Sequence, residues 1–188
     1  MTDETLPDRP GNLSRPKTGL AAWEATVSYI AEEHHPDALL ILRVYPVEGV
    51  NRWSALLEWG AYLEQTEDAT SLANALTALW QAVDQSHIIF KDAKAKQQRP
   101  TGYGEYDWVG ADTKEAVERL LWVVRVVFKS DWSLVAFYRP IEDATRRVQM
   151  RLIAKGDEVH IGGRGPTLKD AASQLYRNAT PHFSGSKD

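Results

Sequence analysis

The sequence predicts an α+β fold in which one α-β-β-β-α unit occurs twice, each copy an antiparallel sheet with helices packed on one face. Two similar segments, Leu40–Glu48 and Leu134–Glu142, lie 94 positions apart. Each leads into an apolar run that ends in a glycine, and a helical pattern follows. The glycines are Gly60 and Gly156, and the helical patterns begin at Leu72 and Leu168. Landmarks that recur in the same order at nearly the same spacing indicate an internal duplication.

The first predicted unit spans residues 18–90. Apolar residues at spacings of three and four predict a helix over Leu20–Glu33. It ends before Pro36, because the residue that precedes a proline resists the helical region. Apolar and alternating runs then predict three strands, and the Ser71 hydroxyl can cap the helix that follows. The strands are Leu39–Val47, Asn51–Trp59 and Ala61–Glu67, and the helix is Leu72–Val83.

The second predicted unit spans residues 111–180. Asp112 followed by Glu115 is typical of a helix start. The segment Leu121–Phe128 is apolar on most sides and rich in valine, so it fits either a buried helix or a strand. Thr167 can cap the last helix, and the short connections require antiparallel pairing. The strands are Trp132–Tyr138, Arg147–Ile153 and Glu158–Ile161, and the last helix is Leu168–Asn178.

Three further segments complete the predicted organisation. Residues 1–17 are polar and contain several prolines, which indicates a disordered N-terminal lead. Residues 91–110 combine lysines, glutamines, prolines and glycines, which is typical of a linker or a long loop. Residues 181–188 form a C-terminal tail.

The composition excludes several classes of protein. The chain has no cysteine, so disulfide frameworks, thiolate chemistry and cysteine-rich zinc sites are excluded. No run approaches the roughly 18 apolar residues of a membrane span. The polar N-terminus lacks the basic and apolar regions of a signal peptide. We therefore expect a cytoplasmic protein that does not bind membranes.

The two predicted units differ in charge. Residues 20–90 hold 2 Lys/Arg and 10 Asp/Glu, a balance of −8, whereas residues 111–180 hold 12 and 9, a balance of +3. The difference fits independent drift of solvated surfaces, or attraction between the two units. It also fits an anion-facing surface kept only by the second unit.

The order helix, three strands, helix is similar to the double-stranded-RNA-binding domain. The segment Ile161–Ala172 resembles that family's passage from the third strand, through a glycine-rich turn, into an alanine-rich final helix. The resemblance implies phosphate binding by lysines at the start of this helix. Of those lysines this chain matches only Lys169, supported by Arg164, and the corresponding Thr70–Asn74 has no cation.

The glycine-rich turn before the last helix is the best candidate for an anion site. Glycines let backbone amides approach a ligand, a helix start carries partial positive charge, and two cations lie nearby. The alternative is a plain tight turn that needs glycine for its backbone angles. The candidate residues are Gly162, Gly163, Arg164, Gly165, Thr167 and Lys169.

Catalytic patterns are poor. None of the five histidines has the spacing of a helical zinc site, and no nucleophile elbow is present. Glu48 and Glu142 hold equivalent positions after a proline, which fits strand ends better than paired acid and base. We expect a protein that is not an enzyme and that needs no cofactor or metal.

The favoured function is a non-catalytic binding or assembly module whose partner is another protein or a second copy. Aromatic and arginine side chains are typical of interface centres, and the candidates are Trp53, Trp59, Tyr138, Arg147 and Arg151. The rival is a nucleic-acid binder, which an isoelectric point of about 5.8 disfavours because affinity depends on phosphate neutralisation. Its residues are Arg147, Arg151, Arg164 and Lys169, with Lys91, Lys94 and Lys96. A small anion held at residues 162–167 is the third alternative.

Overall fold

The computed structural model describes residues 19–33, 35–86, 109–140 and 143–183. They form an α+β fold of four helices and six strands, as the class prediction requires. The first half is α1 (Gly19–Glu33), β1 (Leu39–Val47), β2 (Val50–Trp59), β3 (Tyr62–Ala69) and α2 (Leu72–Ser86). The second half is α3 (Ala111–Phe128), β4 (Trp132–Tyr138), β5 (Val148–Ala154), β6 (Val159–Gly165) and α4 (Leu168–Phe183).

Some predicted segments lie outside the described residues. They include the predicted N-terminal lead, all but residues 109 and 110 of the predicted linker, and the end of the predicted tail. The last helix continues to Phe183, beyond the predicted end at Asn178.

The six strands form one antiparallel sheet in the order β3-β2-β1-β4-β5-β6. The prediction of a separate sheet in each unit is therefore wrong, because β1 pairs with β4 and joins the two halves. Left separate, β1 and β4 would each end their sheet with a long apolar edge whose backbone groups have no ladder partner. Pairing removes both edges and leaves only β3 and β6 at the margins. Antiparallel pairing throughout agrees with the prediction.

All four described helices lie against one face of this sheet. Along β1, Leu40, Leu42 and Val44 are buried while the residues between them are more exposed. The same alternation runs through β4 and β5, and the buried residues of both halves form one continuous core. Two tryptophans anchor the first half: Trp23 meets Trp80 edge-on at 4.8 Å between ring centroids. Each unit therefore contributes to a shared core, which buries more apolar area than two small cores could.

The segment Leu121–Phe128, which the sequence leaves open between helix and strand, is the second half of α3. Its apolar residues do not all face inward. Leu121 and Val124 are buried, whereas Trp122 and Val126 are 68% and 60% exposed. Packing of the inner face stabilises this helix despite its valines, because tertiary contact outweighs intrinsic propensity.

Strand β6 lies unusually close to α4. A Cβ built on Gly163 would lie 2.3 Å from the Ala171 carbonyl oxygen and 2.4 Å from the Leu175 nitrogen. At Gly165 it would lie 2.4 Å from the Asp170 side chain. The glycines thus allow helix and strand to pack backbone to backbone. Gly162, in the same strand, points the other way, with only the Met150 carbonyl within 4 Å, at 3.9 Å.

We expect Gly163→Ala to lower the free energy of unfolding by at least about 2 kcal/mol, because its methyl group must push α4 off the sheet. Gly162→Ala is the matched control one residue away, and its effect should stay within about 0.5 kcal/mol. Urea unfolding of both variants measures the difference. Equal effects for the two alanines would contradict the close packing of β6 and α4.

Candidate functional site

The side of the sheet that carries no described helix, here called the helix-free face, has an apolar centre. Register places Ile41 of β1 between Leu56 of β2 and Phe137 of β4. Val135 and Ile153 extend this centre along β4 and β5, and all five side chains are only partly buried. Antiparallel sheets with one solvated face usually carry polar residues there. The apolar centre of this face departs from that pattern.

Arginines surround this centre. The guanidinium of Arg151 lies 5.6 Å from the Phe137 ring centroid, and that of Arg139 lies 5.9 Å away. Arg43 faces Val135 across the central strand pair and lies 5.2 Å from the ring centroid of Tyr45. Cations at these distances are attracted by the electron-rich ring faces. Phe137 is therefore held among flat, weakly hydrated cations, a combination typical of protein contact sites.

Charge is distributed unevenly across the helix-free face. Glu58 on β2 and Glu67 on β3 lie on one side of the apolar centre, and both are exposed. Arg151 on β5 and Arg164 on β6 lie on the other side and are also exposed. Register puts Leu56 and Arg164 in one cross-strand row, which runs from Gln65 on β3 to Arg164 on β6. The face is thus acidic toward β3 and basic toward β6.

The three aromatic residues predicted for the binding surface are not on this face. Trp59 and Tyr138 are only 7% and 8% exposed, and they point toward the helices. Trp59 stacks on Tyr62, and the Tyr138 hydroxyl shares a hydrogen bond with Ser28 on α1. Trp53 is partly buried and packs against the core. Alternation identified a common side but not which side the helices cover, and large aromatics gain most from burial.

The two arginines predicted for the same surface lie on different sides of the sheet. Arg151 is exposed on the helix-free face. Arg147, which strand alternation would also place there, instead interacts with the Tyr138 hydroxyl and the Glu24 carboxylate on the helix side. Arg147 immediately precedes β5, where its long side chain can pass round the end of the sheet. Its Nε is buried without a hydrogen-bond partner.

The residues of the predicted anion site do not converge. Gly163 and Gly165 face α4, whereas Arg164 is exposed on the opposite side of the sheet. Lys169 forms a 2.9 Å ion pair with Asp112 at the start of α3. Thr167 accepts a hydrogen bond from the Asp170 amide and so caps α4, as predicted. The strand β6 continues to Gly165, so most of the predicted glycine-rich turn is a strand that packs against α4. The two cations of the predicted site lie on different sides of the molecule.

A cavity of about 300 Å³ lies between the first turns of α1, α3 and α4. Its lining includes Leu20, Glu24, Val109, Thr113 and Leu168. Burial raises the pKa of Glu24 to about 7 from its ordinary 4.5, and the positive charge of Arg147 opposes only part of that rise. A carboxyl group in this environment retains its proton close to neutral pH. The sequence analysis did not single out this residue, because nothing local in α1 distinguishes it from a surface glutamate.

Trp122 and Val126 form a second exposed apolar feature, on the outer side of α3. Arg125 between them donates to the Gly49 carbonyl in the β1–β2 turn, at 3.4 Å. Val50 beside that turn is 54% exposed. This outer patch of α3 lies on the helical layer, away from the helix-free face, and provides a natural comparison for tests of that face.

The sequence comparisons with known proteins identify no relative. The sequence matches no protein-family model, and no curated protein is significantly similar to it. Within residues 19–33, 35–86, 109–140 and 143–183, no three acidic or histidine side chains are grouped so as to hold a metal ion. Among the helices described, none is both long and apolar enough to cross a membrane.

The buried carboxyl of Glu24 gives a test of this geometry. Unfolding returns its pKa to about 4.5, so between that pH and about 7 the unfolded chain releases a proton that the folded chain retains. The contribution of Glu24 to folding stability therefore falls as the pH rises through this range. Between pH 5 and pH 8, Glu24 should lower the free energy of unfolding of the unaltered protein by about 1–3 kcal/mol. We expect Glu24→Gln to remove this decrease.

Urea unfolding at the two pH values measures this effect, with Glu32→Gln as the exposed control on the same helix. The control should lose stability with pH as the unaltered protein does. An identical pH dependence for Glu24→Gln and the unaltered protein would contradict burial of this carboxyl.

Proposed function

We propose that this protein is a non-catalytic, cytoplasmic binding or assembly module that contacts another protein chain through the helix-free face. The observation that carries the proposal is the apolar centre around Phe137, partly exposed and surrounded by Arg43, Arg139 and Arg151. Aromatic and arginine side chains dominate the energetics of protein interfaces, particularly where a ring is surrounded by groups that exclude water.

Packing considerations support this use of the face. The helix side already buries the large aromatics, so it provides the stability of the fold. Ile41, Leu56 and Phe137 are only partly buried, so each leaves some apolar surface in contact with water. Such a surface favours association, because covering it stabilises a complex by about 25 cal/mol per Å² of apolar area before the costs of association.

We also infer that the two halves descend from one duplicated unit. The 94-residue offset carries Leu40 onto Leu134, Leu42 onto Ala136 and Val44 onto Tyr138. The β1–β4 register pairs Leu42 with Ala136, Leu40 with Tyr138 and Val44 with Leu134. Leu40 therefore lies opposite the equivalent of Val44, and Val44 lies opposite the equivalent of Leu40. A local twofold axis through the Leu42–Ala136 pair produces this exchange. Duplication in this reading doubled the width of the contact face, and the two halves then diverged in charge.

Nucleic acid is the second candidate partner, favoured by the arginines that flank Phe137. Two placements weigh against it. Lys169 lies in the helical layer and is paired with Asp112, while Glu58 and Glu67 share the helix-free face with the arginines. The cluster Lys91, Lys94 and Lys96 lies outside the described residues.

The direct test is a photo-crosslinker placed at Gln149, beside the apolar centre on β5, in the protein expressed in its own cells. The exposed Arg177 on α4 provides the control position. We expect protein adducts from Gln149 that are at least about tenfold more abundant than from Arg177 and are lost with Phe137→Ser. Equal or absent adducts at both positions would contradict the proposal.

Fluorescence anisotropy with labelled duplex and single-stranded RNA and DNA, at about 50 and about 200 mM salt, separates the two partners. We expect no binding even at the lower salt concentration. Binding that weakens steeply with salt and requires Arg151 and Arg164 would replace the protein partner by nucleic acid.

A further inference from the structure

We propose that the side-chain amides of Gln174 and Asn178 on α4 close the β6 edge of the sheet to strands from other copies of this chain. Strand β6 lies at one margin of the sheet, and among the described strands it pairs only with β5. The outer backbone groups of such a strand can pair with another chain, which leads to unwanted assembly unless the edge is protected. Two of these groups on β6 bond to α4 instead.

The outward backbone groups of β6 belong to every second residue. In an antiparallel ladder, alternate residues bond to the partner strand, and the residues between them point their amide and carbonyl away from it. On β6 the outward residues are His160, Gly162 and Arg164. The Arg164 amide donates to the Gln174 side-chain oxygen, and the Gly162 carbonyl accepts from the Asn178 side-chain nitrogen at 2.7 Å. An added strand would need these same backbone groups.

The spacing of the two side chains on α4 matches the spacing of the outward groups on β6. Gln174 and Asn178 are four residues apart, about 6.0 Å along the helix axis. Gly162 and Arg164 are two residues apart, about 6.6 Å along the strand. Gln174 supplies an acceptor and Asn178 a donor, the two kinds of group that a neighbouring strand would offer. In this respect α4 takes the place of a seventh strand.

The close packing of α4 on β6 brings these side chains to the edge. A Cβ on Gly163 would lie 2.4 Å from the Leu175 nitrogen, so the helix backbone lies directly on the strand. Asp170, one turn before Gln174, lies over Gly165 in the same way. Residues 170, 174 and 178 therefore form one line along β6, and the last two reach its outward backbone groups.

Closing one edge is enough to prevent open-ended growth of the sheet. Copies that join edge to edge through two different margins form a heterologous contact, which does not close and so produces filaments. Such growth requires both the β3 margin and the β6 margin of each copy. With the β6 margin occupied by α4, growth of this kind stops whatever contacts β3 makes.

Sedimentation velocity of the full chain from about 5 to about 200 µM tests the closed edge. We expect Gln174→Ala combined with Asn178→Ala to raise the weight-average mass at the highest concentration at least about twofold above that of the unaltered protein. Arg177→Ala, at an exposed position on the same helix, is the control and should sediment as the unaltered protein does. Alanine favours helix, so α4 should remain formed, and circular dichroism checks that each variant folds.

A third substitution identifies the edge that the heavier species use. His160→Pro removes an outward amide of β6 without removing a bond from the β5–β6 ladder, and proline on an edge strand prevents further pairing. Added to the double variant, it should return the mass to that of the unaltered protein.

A double variant with the same mass as the unaltered protein at about 200 µM would overturn the proposal. Heavier species that persist after His160→Pro would also overturn it, because they would form at a site other than the β6 edge. Gln174 and Asn178 belong to the helical layer, so their substitution leaves the surface around Phe137 unchanged. The closed edge and the proposed function can therefore fail independently.

Discussion

The pairing of β1 with β4 is the interaction on which the rest of the structure depends. It turns two three-stranded ladders into one six-stranded sheet and centres that sheet on Leu42 and Ala136. Because both strands present their buried residues to the same side, all four described helices share one layer and one core. The opposite side carries no helix from the part of the chain that the structure describes. A single backbone pairing thus determines which side of the sheet holds the shared core.

The helical layer shows how local packing removes groups from the list of functional residues. Gly163 and Gly165 resemble a ligand-binding turn in sequence, yet their missing side chains admit the backbone of α4. Lys169 resembles a phosphate contact, yet it is paired with Asp112. An exposed pair of this kind contributes little to stability, but it keeps the lysine directed along the helical layer. The side chains around Phe137 are those that packing against the helices does not use.

The sequence predicted the elements well because their patterns are local: the bounds of β1 and β4 follow directly from their apolar runs. It could not predict that these strands pair, since nothing in either strand identifies its neighbour.

The residues of the candidate site were harder to predict than the strands. Val135 and Phe137 are apolar like Leu134 and Ala136, so alternation within β4 conceals which pair faces the helices. Trp59 and Tyr138, two aromatic residues of the predicted surface, lie in the core. The alternation within their strands likewise did not reveal which side faces the helices. The alternation shows that the two sides of each strand differ, but only the tertiary packing determines which side faces the helices.

The most direct test of this account is solution NMR of the central strand pair. The pairing predicts backbone cross-strand contacts between Leu42 and Ala136, and between Arg43 and Val135, in the register described. It also predicts that the amides hydrogen-bonded between these two strands are among the slowest in the protein to exchange with deuterium, because opening them requires the whole sheet to separate. Observation of both would establish the joined sheet. Absent contacts, with fast exchange along β1 and β4, would show that the halves fold separately and would remove the continuous face.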